Sequence, residues 1–180
     1  MRRLQVLAIG DVDSRTLEAM AVQLADHFAL PCEVMPNSID PQFAFHPERG
    51  QYHSSEILAE IRKFVGPSCW RLLGVANVDL YIPILTFVFG EAQMGGPAAV
   101  ISTYRLRQEF YGLPKDVNLF YGRMLKEAVH ELGHTLHLSH CDDYYCAMAS
   151  SHSVEWIDLK ENAFCRDCAN RVLAELSEKR

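Results

Sequence analysis

His130-Glu131-Leu132-Gly133-His134, with His140 six residues further on, is the stretch that decides how this chain is read. On an α-helix, residues four apart stand one above the other, about 40° around the axis. Two imidazoles at that spacing can grip one zinc ion while the glutamate between them faces the water on that ion. A shuffled chain of this composition yields such a pentapeptide with an expectation of about 0.03, and a third histidine at a fixed offset lowers it to about 0.001. Histidines that merely coat or cap a helix are therefore the poorer explanation.

A catalytic zinc takes three protein ligands and leaves a position open for water. His130 and His134 supply two, and His140 is the expected third. A straight helix would carry His140 a further ~9 Å along its axis, so the helix must stop after Leu136 and the chain must turn back. His137 offers a rival set: were the helix to continue, it would lie about 20° from His130 on the same face. Glu131 is expected as the general base, taking a proton from zinc-bound water and passing it to the leaving amine. The reaction class is metal-assisted hydrolysis of an amide.

Further along, Cys141-x4-Cys146 and Cys165-x2-Cys168 place four thiols beside the histidines. Four sulfurs saturate zinc tetrahedrally, so such a site is closed and structural; a pair of disulfides is the competing assignment. The expected stoichiometry is two zinc ions per chain, one catalytic and one structural. Cys165 and Cys168 open a terminal helix with Val172, Leu173 and Leu176 on one side, which the ion would staple to the segment bearing His140. Arg166 between the last two ligands is placed to offset their negative charge. Cys32 and Cys69, in apolar contexts, read as small buried hydrophobes.

Upstream, Leu4 to Ile9 reads as a first strand and Asp13 or Ser14 to about Phe28 as a helix with Leu17, Met20, Ala21 and Leu24 at helical spacing. Glu33 to Met35 is a short second strand, and the proline-rich stretch 36–52 a loop. Ser54 or Ser55 opens a second helix closed by Gly66-Pro67. Strands follow at Arg71 to Val75, Thr86 to Gly90 and Ala98 to Ser102, with a turn at Gly95-Gly96-Pro97. Pro114 marks the start, near Lys115, of the helix that carries the metal motif on its second half. Strands alternating with helices point to an α/β layer in front of the metal segment. The expected organisation is one domain over residues 1–180, with a subdomain of about 1–140 and a zinc-stapled lobe of about 141–180.

The pattern HExxHxxxxxHC-x4-C-x-M followed by C-x2-C resembles the archaemetzincins, a branch of the metzincin zinc metallopeptidases. That resemblance implies a zincin fold: a twisted mixed sheet, backing and active-site helices, and a small C-terminal lobe. It implies His130, His134 and His140 as ligands of the catalytic zinc, and Glu131 as the acid–base residue. Met148 would form a turn whose thioether floors the histidine rings, and Phe87 to Glu91 an exposed edge strand that pairs with an extended peptide. Two positions depart from the family pattern. His137 stands where metzincins place a glycine in a left-handed turn, and Ala149 where the family usually has asparagine.

The bulk numbers exclude other classes. A chain of 180 residues, 49% of them hydrophobic, can bury an ordinary core. A net charge of −6 with scattered basic residues argues against nucleic acid. No run approaches the ~20 apolar residues of a membrane span. The opening apolar run is too short for a signal peptide, and paired cysteines beside histidines suit a reducing compartment, so the expected location is cytoplasmic. No inhibitory pro-segment is expected, since the chain opens on its first strand. The leading function is a zinc metallopeptidase acting, as a monomer, on peptides or unstructured protein segments. The alternative is a catalytically weak, zinc-containing peptide- or protein-binding module. A zinc-ribbon interaction domain has no place for the HExxH helix. Tyr144, Tyr145 and Trp156, near the two sites, are expected to pack rather than to line the specificity pocket.

Overall fold

The computed structural model describes residues 2–178, and side chains as far as residue 174; Leu176, expected on the apolar side of the terminal helix, lies outside the described side chains. In chain order the elements are β1 (Arg3–Ile9), α1 (Ser14–Phe28), β2 (Cys32–Ile39), β3 (Phe45–His46), β4 (Gln51–His53), α2 (Ser54–Ile61), β5 (Cys69–Ala76), β6 (Leu80–Tyr81), β7 (Gly90–Ala92), β8 (Ala98–Ser102), α3 (Val117–Thr135), α4 (Val154–Leu159) and α5 (Arg166–Glu178).

Alternation along the strands builds two cores. Leu4, Val6 and Ala8 of β1, Leu73 and Val75 of β5, and Ala99 and Ile101 of β8 face α1 and α3. The intervening Leu7, Ile9, Leu72, Ala76, Ala98 and Val100 face α2. Because both faces are covered, these strands read as near-continuous apolar runs. The sheet order is β2-β1-β5-β8-β7, parallel except for β7, which runs antiparallel at one edge. Helix α3 crosses the β8–β7 end of this sheet and carries the metal motif on its second half.

The strands expected at Leu4 to Ile9 and Arg71 to Val75 are present as β1 and β5 with ends shifted by a residue or two, and α1 and β8 have the expected bounds. Four expectations need correction. The second strand is longer than Glu33 to Met35, because β2 sits at the sheet edge, where Pro36 loses no ladder hydrogen bond. The stretch 36–52 is not all loop: β3 and β4 join β6 in a second, three-stranded sheet. Thr86 to Gly90 is not a strand either; Val88 makes a lone bridge to Leu80, and the edge strand begins at Gly90. Cys32 and Cys69 are half-buried rather than buried, with thiols pushed up by burial to about 12 and about 11, which keeps them protonated and unreactive.

Candidate active site

Helix α3 starts where the Asp116 carboxylate accepts the Leu119 N–H at 2.9 Å, a cap that satisfies one orphan donor. It ends at the residue the motif required. Leu138 N–H donates to Gly133 C=O at 3.1 Å and His137 N–H to His134 C=O at 3.1 Å, a Schellman closure with His137 in the left-handed position at φ 63°. His137 therefore takes the glycine's place in the turn, with its ring over Gly95, and does not join the histidine cluster. The chain reverses and brings His140 back over the helix.

His130, His134 and His140 meet as a trio whose ligand atoms all lie within 4.8 Å of one another. His130 Nδ1 lies 2.8 Å from the Ala147 carbonyl and His134 Nδ1 2.7 Å from the Leu138 carbonyl. A carbonyl can only accept, so each Nδ1 carries the proton and each Nε2 presents a lone pair. Those two Nε2 atoms are 3.2 Å apart. Facing lone pairs repel unless a cation stands between them, and two nitrogens bound tetrahedrally to zinc are about 3.3–3.4 Å apart. Burial pushes the His130 imidazole well below its usual range, with the charge of Lys160 adding to it, and lowers His134 and His140 in the same direction. All three rings stay neutral, the form that binds metal.

Glu131 is buried beside this trio, at the wall of the cavity in front of it. A Cβ on Gly90 would lie 2.8 Å from Glu131 Oε1 and 2.7 Å from its Cγ, so the edge strand can lie over the carboxylate only because position 90 has no side chain. Burial, and then the negative charge of Glu127, raise the Glu131 carboxyl well above its usual range, against the opposing pull of Lys160. Met148 is fully buried beneath the helix. A Cβ on Gly133 would fall 2.3 Å from its sulfur, so the second unspecified position of the motif must be glycine for the thioether to fit.

The thiols form the second cluster. Cys141, Cys146, Cys165 and Cys168 bring their sulfurs within 4.8 Å of one another, and all are free. The Cys141–Cys165 separation is 3.8 Å; four sulfurs about 2.3 Å from one zinc sit about 3.8 Å apart, whereas a disulfide closes to about 2.05 Å. Cys146 Sγ accepts the backbone N–H groups of Met148 at 3.4 Å and Cys165 at 3.2 Å, and Cys165, at the start of α5, has its thiol held down by a backbone N–H from Cys168. Arg166 is exposed and lines a shallow pocket over the cysteines. The two clusters are joined by backbone, because Cys141 N–H donates to Met148 C=O at 3.0 Å. Both donor sets suit zinc.

A cavity of about 500 Å³ opens in front of the histidines, walled by Leu85 to Gly90 on one side and by Glu127, His140, Ser150, Ser151 and His152 on the other. Tyr144, Tyr145 and Trp156 lie outside it; Tyr144 and Trp156 pack on each other, ring centroids 5.7 Å apart. Sequence reading missed Glu127, Lys160, Gly90 and Gly133. Lys160 is wholly buried, with its ammonium 2.8 Å from Glu127 Oε1 and 3.4 Å from the Ala149 carbonyl. It thus ties the turn that lacks the family's asparagine to the active-site helix. Glu127, one turn before Glu131 on the same face, was visible by spacing; its lysine partner was not.

The chain is similar to known proteins over most of its length. The pattern of Peptidase family M54 matches residues 18–174. The archaemetzincin of Methanocaldococcus jannaschii is 39% identical over 171 residues, covering 94% of this chain and 92% of its own. The crystal structure of the Archaeoglobus fulgidus archaemetzincin superposes with a TM-score of 0.81 at 36% identity, covering 94% of this chain and 99% of that one. That of a zinc-dependent peptidase from Methanocorpusculum labreanum does so with a TM-score of 0.86 at 27% identity and the same coverage.

Proposed function

This chain belongs to the archaemetzincins, peptidase family M54, and is a zinc metallopeptidase; with that as premise we propose that it cuts peptide bonds using Glu131 as general base and His130, His134 and His140 as zinc ligands. The observation that carries this reading is the trio of neutral imidazoles converging beside one buried carboxylate at the end of an open cavity. When bound, zinc supplies Lewis acidity to the scissile carbonyl and to the attacking water. Glu131 takes the proton from that water and returns it to the leaving amine nitrogen. Cys141, Cys146, Cys165 and Cys168 would hold a second zinc that fixes the lobe bearing His140, giving two ions per chain.

The substrate is an extended peptide or an unstructured protein segment. On either side of β7 the carbonyl of Phe89 and the N–H of Gln93 are spent on β8, at 2.7 and 3.0 Å. In an antiparallel ladder the alternate residues, Gly90 and Ala92, then turn their N–H and C=O groups to the free edge, where a substrate strand can pair. A net charge of −6 opposes nucleic acid as a partner, and among the described residues no helix is long and apolar enough to cross a membrane. Four free thiols arranged as metal ligands suit the cytoplasm.

A panel of quenched peptides, incubated with the wild type, with Glu131→Gln and with wild type plus a chelator, tests this. Cleavage by the wild type should fall by roughly 10²–10⁴-fold in Glu131→Gln and stop with the chelator. Cleavage that survives the substitution overturns the role of Glu131. Zinc retained without cleavage of any peptide favours the peptide-binding module.

A further inference from the structure

The cleft wall opposite the histidines is residues 85–90, most of it the end of a stretch, residues 82–89, without regular structure. That stretch carries two apolar side chains in solvent, Ile84 at 86% and Leu85 at 49% exposure. Such a loop ordinarily moves, yet this one is fastened from behind. Arg49 donates to the carbonyls of Leu85 at 2.9 Å and Thr86 at 3.1 Å, while its guanidinium lies 4.1 Å over the Tyr81 ring. Gln51 donates to Thr86 C=O and to Asp79, both at 3.0 Å. Asp79 in turn takes two bonds of 2.7 Å from Arg105, whose guanidinium covers the Phe87 ring at 4.2 Å. Val88 N–H is held by Leu80 C=O at 2.9 Å.

This fastening leaves a particular surface toward the cleft. The carbonyls of Leu85 and Thr86 are engaged by arginine and glutamine, the Val88 N–H by Leu80 and the Phe89 carbonyl by Ser102. What residues 85–88 offer instead is carbon: Leu85, Phe87 and Val88 line the cavity. The side chains of Leu85, Phe87 and Val88 carry no polar atom, so a polar or charged substrate side chain laid on them loses water without a hydrogen bond in return. A fixed apolar surface also binds without the ordering cost of a mobile loop.

We propose that residues 85–88 form a rigid apolar shelf that selects extended peptides bearing a bulky apolar side chain, with Leu85 as the specificity-determining residue and Arg49 as the residue that positions the shelf. This rests on the peptidase reading of the same cleft and adds the class of substrate to it.

The test measures binding rather than turnover. Zinc-loaded Glu131→Gln protein is titrated with fluorescent hexapeptides of alanine and serine in which one Leu, Gln or Glu is walked through the six positions. The best leucine peptide should bind about tenfold or more tighter than its Gln and Glu counterparts. Leu85→Asp in that background should level the three. Arg49→Met should reduce the Leu-to-Gln ratio several-fold with zinc content unchanged, and Arg49→Lys should restore part of it. Equal binding of the three peptides, no binding of any, or a preference untouched by Leu85→Asp overturns the shelf. Cleavage by the wild type is read separately. Unselective cleavage defeats the shelf and spares the peptidase, whereas selective binding without cleavage does the reverse.

Discussion

His140 and Cys141 are neighbours in the chain, yet they belong to clusters of opposite kinds. The histidine trio gives three nitrogen donors at the end of a cavity of about 500 Å³. The cysteines give four soft donors, packed among Leu138, Met148, Phe164 and Val172. Three donors leave a corner for a reactant and four leave none, and on that difference rests the proposal that one cluster does chemistry and the other staples the lobe. Their adjacency makes the closed site a support for the open one. The turn from Cys141 to Met148 is hydrogen-bonded to itself, and it carries the Ala147 carbonyl that orients His130.

The contrast can be strained hardest at Lys160, whose ammonium pairs with Glu127 on the active-site helix. Replacing it with methionine leaves the Glu127 carboxylate buried without its cation, and removing one partner of such a pair costs about 3–5 kcal/mol. Urea unfolding should show that loss, and Glu127→Gln in the same chain should recover most of it. A loss below about 1 kcal/mol would mean that water already reaches the pair.

Cys165→Ser probes the link between the clusters. It should release the thiolate-bound zinc and lower kcat/KM by about 10–100-fold, the usual size of an effect transmitted through a ligand's support. Unchanged kcat/KM with that zinc gone would make the two sites independent.

A smaller effect follows from the burial of Glu131. Its folded carboxyl titrates above the ordinary value of 4.5, so its contribution to stability is full below that pH and is lost as pH rises through the folded value. In the metal-free protein at pH 8, Glu131→Gln should therefore raise the thermal midpoint by about 2–8 °C, with the gain fading as the pH approaches 4.5. A destabilised variant at pH 8 would show the carboxylate to be well solvated.

His137→Gly is the mildest variant. It relieves a left-handed residue, worth about 1 kcal/mol, and gives up a ring contact with Gly95. Stability should rise by no more than about 1 kcal/mol, and the histidine-bound zinc should stay, as metal analysis can show. Loss of that zinc would return His137 to the ligand set.

Legibility in the sequence followed the range of each interaction. The metal helix, the reversal after Leu136 and the two cysteine pairs depend on spacings of two to six residues, and they were readable. The edge strand was misplaced because the apolar run Phe87-Val88-Phe89 looks like a strand, while the groups that hold it, Arg49, Gln51 and Arg105, come from distant parts of the chain. β3 and β4, of two and three residues, are too short to show alternation. The Glu127–Lys160 pair spans 33 positions and follows no period. Gly90 and Gly133 matter through what their missing side chains admit, and no pattern in one sequence reports that.

Native mass spectrometry of the purified protein, giving zinc ions per chain, tests the central claim most directly. The account predicts two ions in the wild type, one in His140→Ala with the thiolate ion retained, and a denatured mass with all six thiols reduced. A wild type with a single ion, or with the four clustered cysteines oxidised to disulfides, would contradict it.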